Sequence, residues 1–401
     1  MRLSSVHEKT TASEVEISGS FGETRLWFRV PAGLGDQVRP NPFIVAGLMP
    51  AMLKGEPLEV SPEYTISPRL LASLPKIQHI LHAWIPALQI VEVLATPGVP
   101  VPGRAGAACF FSGGVDSAYT YLKHADEITH LVLIHGLDIH HDDDKAFSRA
   151  LRPVSQIAER LGKSLITVRT NAREFCKANG LTMLLFHGAL LGSVSLLLGF
   201  QRNFIPASQT YDDLEPWGSH ALLDPLWSTE ASEVIYDGAE ARRIDKVREV
   251  AQHADLLQSL RVCSTGTGAN CGQCEKCVLT STALRLVGAS TPAFPKLDLD
   301  RLKGLKINLD NLEYFVEMSE VAGQIGDREL QNVLDASLRR FEAKLILKRA
   351  DAVFFGGAVR RLLGGMREKP AHPPLLRPED PTNGTSNGAR ALRVWRTRTL
   401  R

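Results

Sequence analysis

Across residues 107–207, short apolar runs alternate with longer segments of helical periodicity. The runs at 107–111, 131–135, 164–169 and 204–207 predict buried strands, and the segments between them predict helices. Strands separated by helices are typical of a parallel sheet with helices on both faces, because a parallel crossover needs a connection of that length. The sequence therefore predicts an α/β fold.

Residues 180–200, GLTMLLFHGALLGSVSLLLGF, carry no formal charge over 21 positions. That length alone would allow a helix to cross a membrane. The run is isolated, however, and it contains His187, Ser193 and Ser195 before leading into the strand-like FIPAS. We therefore predict a helix buried on several sides of the α/β unit, and no membrane partner.

The regions on either side of the α/β unit differ from it in pattern. Alternating apolar residues and one helical segment predict a small α+β N-terminal domain at 13–100. The α/β unit spans 107–290, and helical spacing after it predicts a helical C-terminal region at 291–366. Residues 367–401 are rich in proline and polar residues, and this composition predicts a disordered tail. The added regions could support a homodimer or dock a partner protein.

The charge balance is close to neutral, with 46 lysine and arginine residues against 44 aspartate and glutamate residues. No global field draws the chain to nucleic acid, so we do not expect a nucleic-acid partner. The first residues lack an apolar core of signal-peptide length, and we expect a cytoplasmic protein.

The segment SGGVDS, residues 112–117, follows the first strand of the α/β unit and opens the next helix. Its two glycines let backbone N–H groups approach an anion, and the helix start adds positive potential. Ser112 and Ser117 add hydroxyl donors, whereas Asp116 suits a role in orienting the loop or holding Mg²⁺. The segment matches neither G-x-x-x-x-G-K-[ST], nor the G-x-S-x-G elbow, nor the dinucleotide motif G-x-G-x-x-G.

Four of the six cysteines lie within RVCSTGTGANCGQCEKC, with the spacing C-x7-C-x2-C-x2-C. Short paired spacings let thiolates converge on one tetrahedral ion, and four protein ligands close the site, so we predict a structural zinc ion. An iron–sulfur cluster is the alternative, although the bacterial ferredoxin run would need a cysteine where Ser281 stands. The predicted ligands are Cys263, Cys271, Cys274 and Cys277.

The SGGVDS loop resembles the PP-loop of the ATP pyrophosphatase superfamily, the adenine nucleotide alpha hydrolase-like proteins. The resemblance implies that the loop holds the pyrophosphate part of ATP. It also implies attack at the α-phosphate, which gives an adenylated substrate and later AMP. Asp116 is then the catalytic candidate. The implied ATP-binding residues are Ser112, Gly113, Gly114, Val115, Asp116 and Ser117.

The loop and the cysteine segment together resemble 7-cyano-7-deazaguanine synthase, over roughly residues 107–288. The resemblance implies a ligase that forms AMP and pyrophosphate: ATP activates a small-molecule carboxylate, and ammonia or an amine attacks it. The family's zinc knuckle matches the four cysteines. Two features depart from the family, because the chain extends well beyond this span on both sides and residues 208–230 replace the family's substrate loop.

Residues 208–230, SQTYDDLEPWGSHALLDPLWSTE, are the predicted specificity element. Trp217 and Trp227 could stack on a planar ring. Polar contacts to a substrate could come from Asp212, Asp213, His220 and Asp224. The alternative is a surface loop whose tryptophans pack on the domain.

Two further charged segments have both a functional and a structural interpretation. Lys246 and the pair Arg242–Arg243 could meet a substrate carboxylate or ATP phosphates, but a solvated helix face is the favoured interpretation. His140, His141 and the three aspartates after them look like a metal site, but these residues are contiguous, and we predict a loop.

An AMP-forming ligase is the leading hypothesis. A tRNA sulfur-transfer enzyme is one alternative, and it would need a basic surface and a reactive cysteine. A non-catalytic ATP-binding partner protein is the other, and it would bind ATP without turnover.

Overall fold

The structure, a computed structural model, describes residues 1–34, 40–263 and 269–355. Its strands are β1 (Arg2–Thr10), β2 (Glu14–Phe21), β3 (Thr24–Pro31), β4 (Leu58–Val60), β5 (Thr65–Ile66), β6 (Val93–Leu94), β7 (Thr96–Pro97), β8 (Arg104–Phe110), β9 (Ile128–His135), β10 (Ser164–Thr170), β11 (Phe200–Pro206) and β12 (Glu233–Asp237). Its α-helices are α1 (Asn41–Lys54), α2 (Pro68–Trp84), α3 (Val115–Lys123), α4 (Asp144–Arg160), α5 (Ala172–Ala178), α6 (Met183–Leu198), α7 (Arg243–Ala251), α8 (Ala254–Ser259), α9 (Glu275–Leu286), α10 (Leu299–Gly304), α11 (Leu309–Ile325) and α12 (Arg328–Phe355).

Five strands form the parallel half of a ten-stranded sheet, in the order β12-β11-β8-β9-β10. The four apolar runs of the α/β unit lie in β8, β9, β10 and β11, so these strand predictions and the α/β class are confirmed. The chain leaves β8 toward β9 on one side and later returns to β11 on the other. The strand order therefore reverses at β8, and sheets of this kind bind ligands at the carboxyl ends of the strands next to such a reversal.

The N-terminal strands continue the same sheet beyond β10. Arg169 and Thr170 of β10 pair antiparallel with Arg29 and Phe28 of β3. β2 and β1 then add antiparallel strands, and β4 and β6 complete the sheet in parallel with β1. The N-terminal part begins at β1, earlier than the predicted start of its domain, while the division into domains stays a prediction.

Helices cover both faces of the sheet, as predicted, because successive strand residues point to opposite sides. Phe110 belongs to one core and its neighbour Cys109 to the other. The first core lies under α1, α2, α5 and α6, and the second lies under α3, α4 and α7–α12.

The uncharged run at 180–200 contains α6, whose residues are buried on several sides. Ser193 Oγ donates to Pro42 O of α1 over 2.9 Å, so the two helices lie close together. A Cβ at Gly192 would stand 2.9 Å from Trp227, and the contact therefore requires glycine. The prediction of a buried helix is confirmed. Within the described residues, the protein has no helix with both the length and the apolar character to span a bilayer.

Helices α10–α12 lie within the helical region predicted after residue 290. α11 packs against α7 and α9, which places the C-terminal helices next to the α/β unit. Arg285 of α9 donates to both carboxylate oxygens of Asp327, over 2.7 and 2.9 Å, at the junction of α11 and α12. The tail predicted to be disordered, 367–401, lies outside the described residues.

Candidate functional site

The loop between β8 and α3 lies at the carboxyl ends of the parallel strands, where the strand order reverses. Gly113 has a φ of +78°, in the left-handed region that favours glycine. The backbone N–H of Arg261 donates to Gly113 O over 2.8 Å, and its guanidinium donates to Ser112 O over 3.3 Å. The loop is therefore held in shape by a residue that sequence analysis does not identify.

The first turn of α3 presents backbone donors at this loop. Gly114 is the N-cap, and among the described residues no side chain caps the helix, so the first N–H groups can donate to an anion. Ser112 is exposed, and its Oγ accepts from Gly114 N over 3.3 Å. Ser117 is buried, and its Oγ donates to Gly114 O over 3.0 Å, while Val115 is buried in the core. Ser112 therefore faces outward, whereas Ser117 and Val115 shape the loop.

Asp116, in the same turn, lies between two cations from α7. Arg243 Nη1 is 2.7 Å from one carboxylate oxygen, and Lys246 Nζ is 3.1 Å from the other. Burial alone would raise the pKa of Asp116, but the charges of Arg243 and Lys246 outweigh it and lower the pKa to about 2. Asp116 is therefore ionised at neutral pH, and its side chain keeps 26% of its surface exposed.

The favoured interpretation of Arg242, Arg243 and Lys246 as a solvated helix face is wrong for two of these three residues. The side chain of Lys246 is 3% exposed and that of Arg243 is 18% exposed. The physical reason is their spacing, because residues three apart on a helix share one face, and here that face meets Asp116. Lys246 Nζ also donates to Ala207 O over 2.6 Å, just past the end of β11. Arg242 alone of the three is exposed.

Helix α11 packs behind these cations. Glu317 accepts a hydrogen bond from Ile244 N over 3.1 Å at the start of α7, and burial raises the pKa of Glu317 to about 7. The hydroxyl of Tyr314 donates to Ser208 O over 3.2 Å. The C-terminal helices therefore contact both α7 and the beginning of segment 208–230.

Two of the polar substrate-binding candidates lie inside the protein. Asp224 is fully buried, Ser219 Oγ donates to it over 2.6 Å, and burial raises the pKa of Asp224 to about 7. His220 is buried against Trp84 with ring centroids 4.8 Å apart, and its Nδ1 accepts from Leu222 N over 3.0 Å. In this arrangement both residues brace segment 208–230 against the rest of the fold.

Trp217 is placed differently, because its side chain is partly exposed. Its ring centroid is 6.0 Å from that of His187, which lies in α6. Trp227 is fully buried, so the packing alternative holds for that tryptophan. Trp217 and His187 together offer an aromatic surface, and sequence analysis singles out only the first of them.

The four cysteines of the C-x7-C-x2-C-x2-C segment converge, and their four Sγ atoms all lie within 4.8 Å of one another. The Sγ atoms of Cys271 and Cys277 are 3.9 Å apart, as are those of Cys263 and Cys274. Four thiolates at about 2.3 Å from a tetrahedral zinc ion would be roughly 3.8 Å apart, so the residues fit that ion. The structure thus contains a possible four-cysteine metal site that is compatible with zinc.

Backbone and side-chain contacts support this site. Asn270 Oδ1 accepts from Val262 N and Cys263 N, and its Nδ2 donates to Leu260 O and Ala293 O. Burial opposes ionisation of Cys271, but the backbone N–H groups that donate to its sulfur lower the pKa of the thiol below its ordinary value. A thiolate is the form that binds a metal ion.

A cavity of about 500 Å³ lies at the opposite end of the sheet, near the start of β8. Arg104 and Glu230 are among its lining residues. The carboxylate of Glu230 already accepts from Ser67 Oγ over 2.6 Å and from Arg69 N over 2.7 Å. In a sheet of this topology ligands bind at the carboxyl ends of the strands, so the SGGVDS loop, and not this cavity, is the candidate site.

Comparisons of the chain with protein-family models, with curated proteins and with solved structures found no match. The functional argument therefore rests on the residues and geometry described above.

Proposed function

We propose that the protein is an ATP-dependent ligase of the PP-loop type that forms AMP and pyrophosphate. It adenylates a carboxylate or carbonyl group of a small molecule, and ammonia or an amine then displaces AMP, as in 7-cyano-7-deazaguanine synthase. One observation carries the proposal: the SGGVDS loop lies at the strand-order reversal, and two largely buried cations, Arg243 and Lys246, flank it.

The loop backbone would bind the phosphates of ATP. The N–H groups of the first turn of α3 and the left-handed Gly113 offer donors without an intervening side chain. Lys246 and Arg243 would neutralise charge on the phosphates, and their low exposure strengthens this effect. Asp116 would orient the two cations and, once one of them turns to phosphate, offer a carboxylate oxygen to Mg²⁺.

The reaction needs no protein nucleophile. A substrate carboxylate oxygen attacks the α-phosphorus of ATP, the bond to the bridging oxygen breaks, and pyrophosphate leaves with the electron pair. Ammonia or an amine then attacks the activated carbonyl carbon and AMP leaves, while the nitrogen loses a proton. Positioning and charge stabilisation by the loop and the α7 cations would supply the rate enhancement.

The aromatic surface of Trp217 and His187 is the proposed contact for a planar substrate. His220 and Asp224 would contribute by holding segment 208–230 in place, since both are buried. The four cysteines would hold a structural zinc ion, whose role is to fix the segment that contacts the loop through Arg261.

The tRNA sulfur-transfer alternative would require a reactive cysteine. Cys109 and Cys176, the two outside the cluster, are buried, and burial raises the pKa of both thiols. A thiol in such a setting is a poor nucleophile. The structure of these two residues therefore favours the ligase.

Incubation with Mg-ATP, ammonium and 7-carboxy-7-deazaguanine tests the proposal, with nucleotides and substrate followed together by mass spectrometry. Lys246→Met keeps the length of the side chain but removes its charge, and Asp116→Ala removes the carboxylate. Lys76→Met serves as the matched control, because Lys76 is exposed on α2.

We expect AMP and an amide product with the wild type and Lys76→Met, or a nitrile where a second ATP activates the amide oxygen and drives its loss as AMP. Lys246→Met should lower product formation at least about 100-fold. AMP without a change in the substrate would keep the ligase class and direct the search to another acid. ATP binding with no AMP above the level of the Asp116→Ala variant would overturn the proposal in favour of an ATP-binding partner protein.

A further inference from the structure

A second cluster of metal-ligating side chains lies outside the site described above. The loop after β9 carries His140 and His141, and the first turn of α5 carries Glu174. β9 and β10 are adjacent parallel strands, so the segments that follow them meet at the same edge of the sheet. One ligand atom from each of the three side chains lies within 4.8 Å of the others.

The carboxylate of Glu174 lies between the two imidazoles. Its Oε1 is 2.5 Å from His140 Nε2, and its Oε2 is 3.3 Å from His141 Nδ1. The latter two atoms are buried, and neither makes a hydrogen bond with the described residues. Two polar atoms that face each other without a hydrogen bond are costly unless a third group satisfies both, and a metal ion would do so.

The carboxylate of Asp142 lies close to both imidazoles. Its Oδ1 is 3.1 Å from His141 Nε2, so it can accept the proton of that nitrogen and leave Nδ1 free to bind a metal. His140 Nδ1 accepts from Asp142 N over 3.3 Å, and Asp142 Oδ2 lies 3.8 Å away. Binding of a metal through Nε2 would move the proton of His140 to Nδ1, so Nδ1 would exchange the backbone contact for one with the Asp142 carboxylate. A carboxylate that orients a ligating histidine in this way is typical of metal sites.

The loop that carries the histidines is held in place from several sides. Gly136 has a φ of +119°, and a Cβ there would stand 2.0 Å from Thr170 O, so the turn requires glycine. Arg173 donates to Leu137 O over 2.9 Å, and His135 Nε2 lies 2.8 Å from His140 O. These contacts position the ligand set before any ion binds.

We propose that His140, His141 and Glu174 form a second metal site, distinct from the four cysteines, that binds a divalent transition-metal ion. Two histidines and one carboxylate are a ligand set that zinc uses when water or another ligand occupies the fourth position. Ligand atoms at about 2.1 Å from the ion would be roughly 3.0–3.4 Å apart. The separation of His141 Nδ1 and Glu174 Oε2, 3.3 Å, already fits this range. The separation of His140 Nε2 and Glu174 Oε1, 2.5 Å, would lengthen on binding. The ion would tie the loop after β9 to α5.

Zinc stoichiometry of the untagged full-length protein tests the site. The wild type and Glu174→Gln would be dialysed against a slight excess of zinc, then against metal-free buffer, and analysed for zinc per chain. Glu159→Gln is the matched control, because Glu159 is an exposed glutamate of α4. Circular dichroism would show that all variants fold.

We expect Glu174→Gln to hold one zinc ion fewer per chain than the wild type and Glu159→Gln. Asp142→Asn should retain the site with zinc affinity lowered about tenfold. Cobalt added to the wild type should give visible absorption from both sites, and Glu174→Gln should lower that absorption while leaving the thiolate charge transfer of the cysteine site unchanged. Equal zinc content in the wild type and a folded Glu174→Gln variant would overturn the proposal and leave an ion-paired histidine cluster. None of these readouts depends on the proposed ligase activity.

Discussion

The backbone N–H of Arg261 donates to the carbonyl oxygen of Gly113 over 2.8 Å, and Cys263 follows two positions later in the chain. The four-cysteine site and the SGGVDS loop are thus joined by a short stretch of backbone. An ion held by the cysteines would fix Arg261, and Arg261 in turn fixes the left-handed turn of the loop.

Loss of the cysteine-bound metal is therefore expected to weaken both the fold and ATP binding. Cys277→Ser should lower the free energy of unfolding by several kcal/mol, because binding of a structural zinc ion contributes to folding. Urea denaturation and ATP titration calorimetry would measure the two effects. In a Glu174→Gln background, which lacks the second proposed metal site, chelator should reproduce both effects and should add nothing once Cys277→Ser is also present. Unchanged ATP affinity in a metal-free, folded protein would contradict the link through Arg261.

A side chain at Gly113 should impair ATP binding more than stability. Gly113→Ala forces alanine to a φ of +78°, which costs about 1–2 kcal/mol, although the nearest atom to the new Cβ is 3.5 Å away. Gly162→Ala is the matched control, because Gly162 has a φ of +63° and open space but lies outside the site. Both variants should lose similar stability in urea. Only Gly113→Ala should weaken ATP binding in calorimetry, and equal affinities in the two would speak against the loop as the phosphate site.

Asp116→Asn should destabilise the protein at neutral pH. The pKa of Asp116 falls from 3.8 to about 2 on folding, so its contribution is present above pH 3.8 and is lost as the pH falls toward 2. The variant should lose at most about 2.5 kcal/mol at pH 7, at about 1.4 kcal/mol per pKa unit, and the deficit should shrink below pH 4. Urea denaturation at a series of pH values measures this.

An exposed ion pair provides the comparison. Asp212→Asn removes a carboxylate that lies 3.6 Å from Arg242, with both side chains more than half exposed. That variant should change stability by less than about 1 kcal/mol at any pH. If Asp116→Asn behaved the same way, the two α7 cations would not depend on Asp116.

The stability of Asp224→Asn relative to the wild type should increase as the pH rises. The pKa of buried Asp224 is raised from 3.8 to about 7, so the folded state holds a proton that the unfolded state releases above pH 3.8. Wild-type stability therefore falls between about pH 4 and 7 through this group, whereas the neutral amide is insensitive to pH. The stability of the variant relative to the wild type should rise over that window and then level off. The exposed Asp126→Asn should show no such rise, and a flat difference for Asp224→Asn would mean that this carboxyl is ionised in the fold.

Local patterns predicted the parallel strands well, because buried strands leave short apolar runs that helices separate. They did not predict α1, whose sequence NPFIVAGLMPAMLK contains two prolines and a glycine, yet the helix is buried against α6. Tertiary contacts stabilise that helix, and they are not visible in a local window.

Candidate site residues could be predicted from the sequence where they are close together in the chain, but not where they come from distant segments. The SGGVDS loop and the cysteines carry their own spacing, so the sequence identifies them. Arg261 and Lys246 are far from the loop in sequence and contact it only in the folded protein. The many charged residues around Lys246 favoured the interpretation of this segment as a solvent-exposed helix face. Glu174 joins His140 and His141 from 33 positions away, which is why the histidines alone predicted a loop.

The pairing of β3 with β10 also affects how the protein behaves among its own copies. A strand at the border of a sheet presents free N–H and C=O groups that other chains can pair with. In the parallel half by itself, β10 would be such a border. The N-terminal strands move this border out to β6, a strand of only two residues, which is too short to template pairing. We therefore expect a fragment that begins at Arg104 to self-associate through β10, the edge that β3 covers in the full protein.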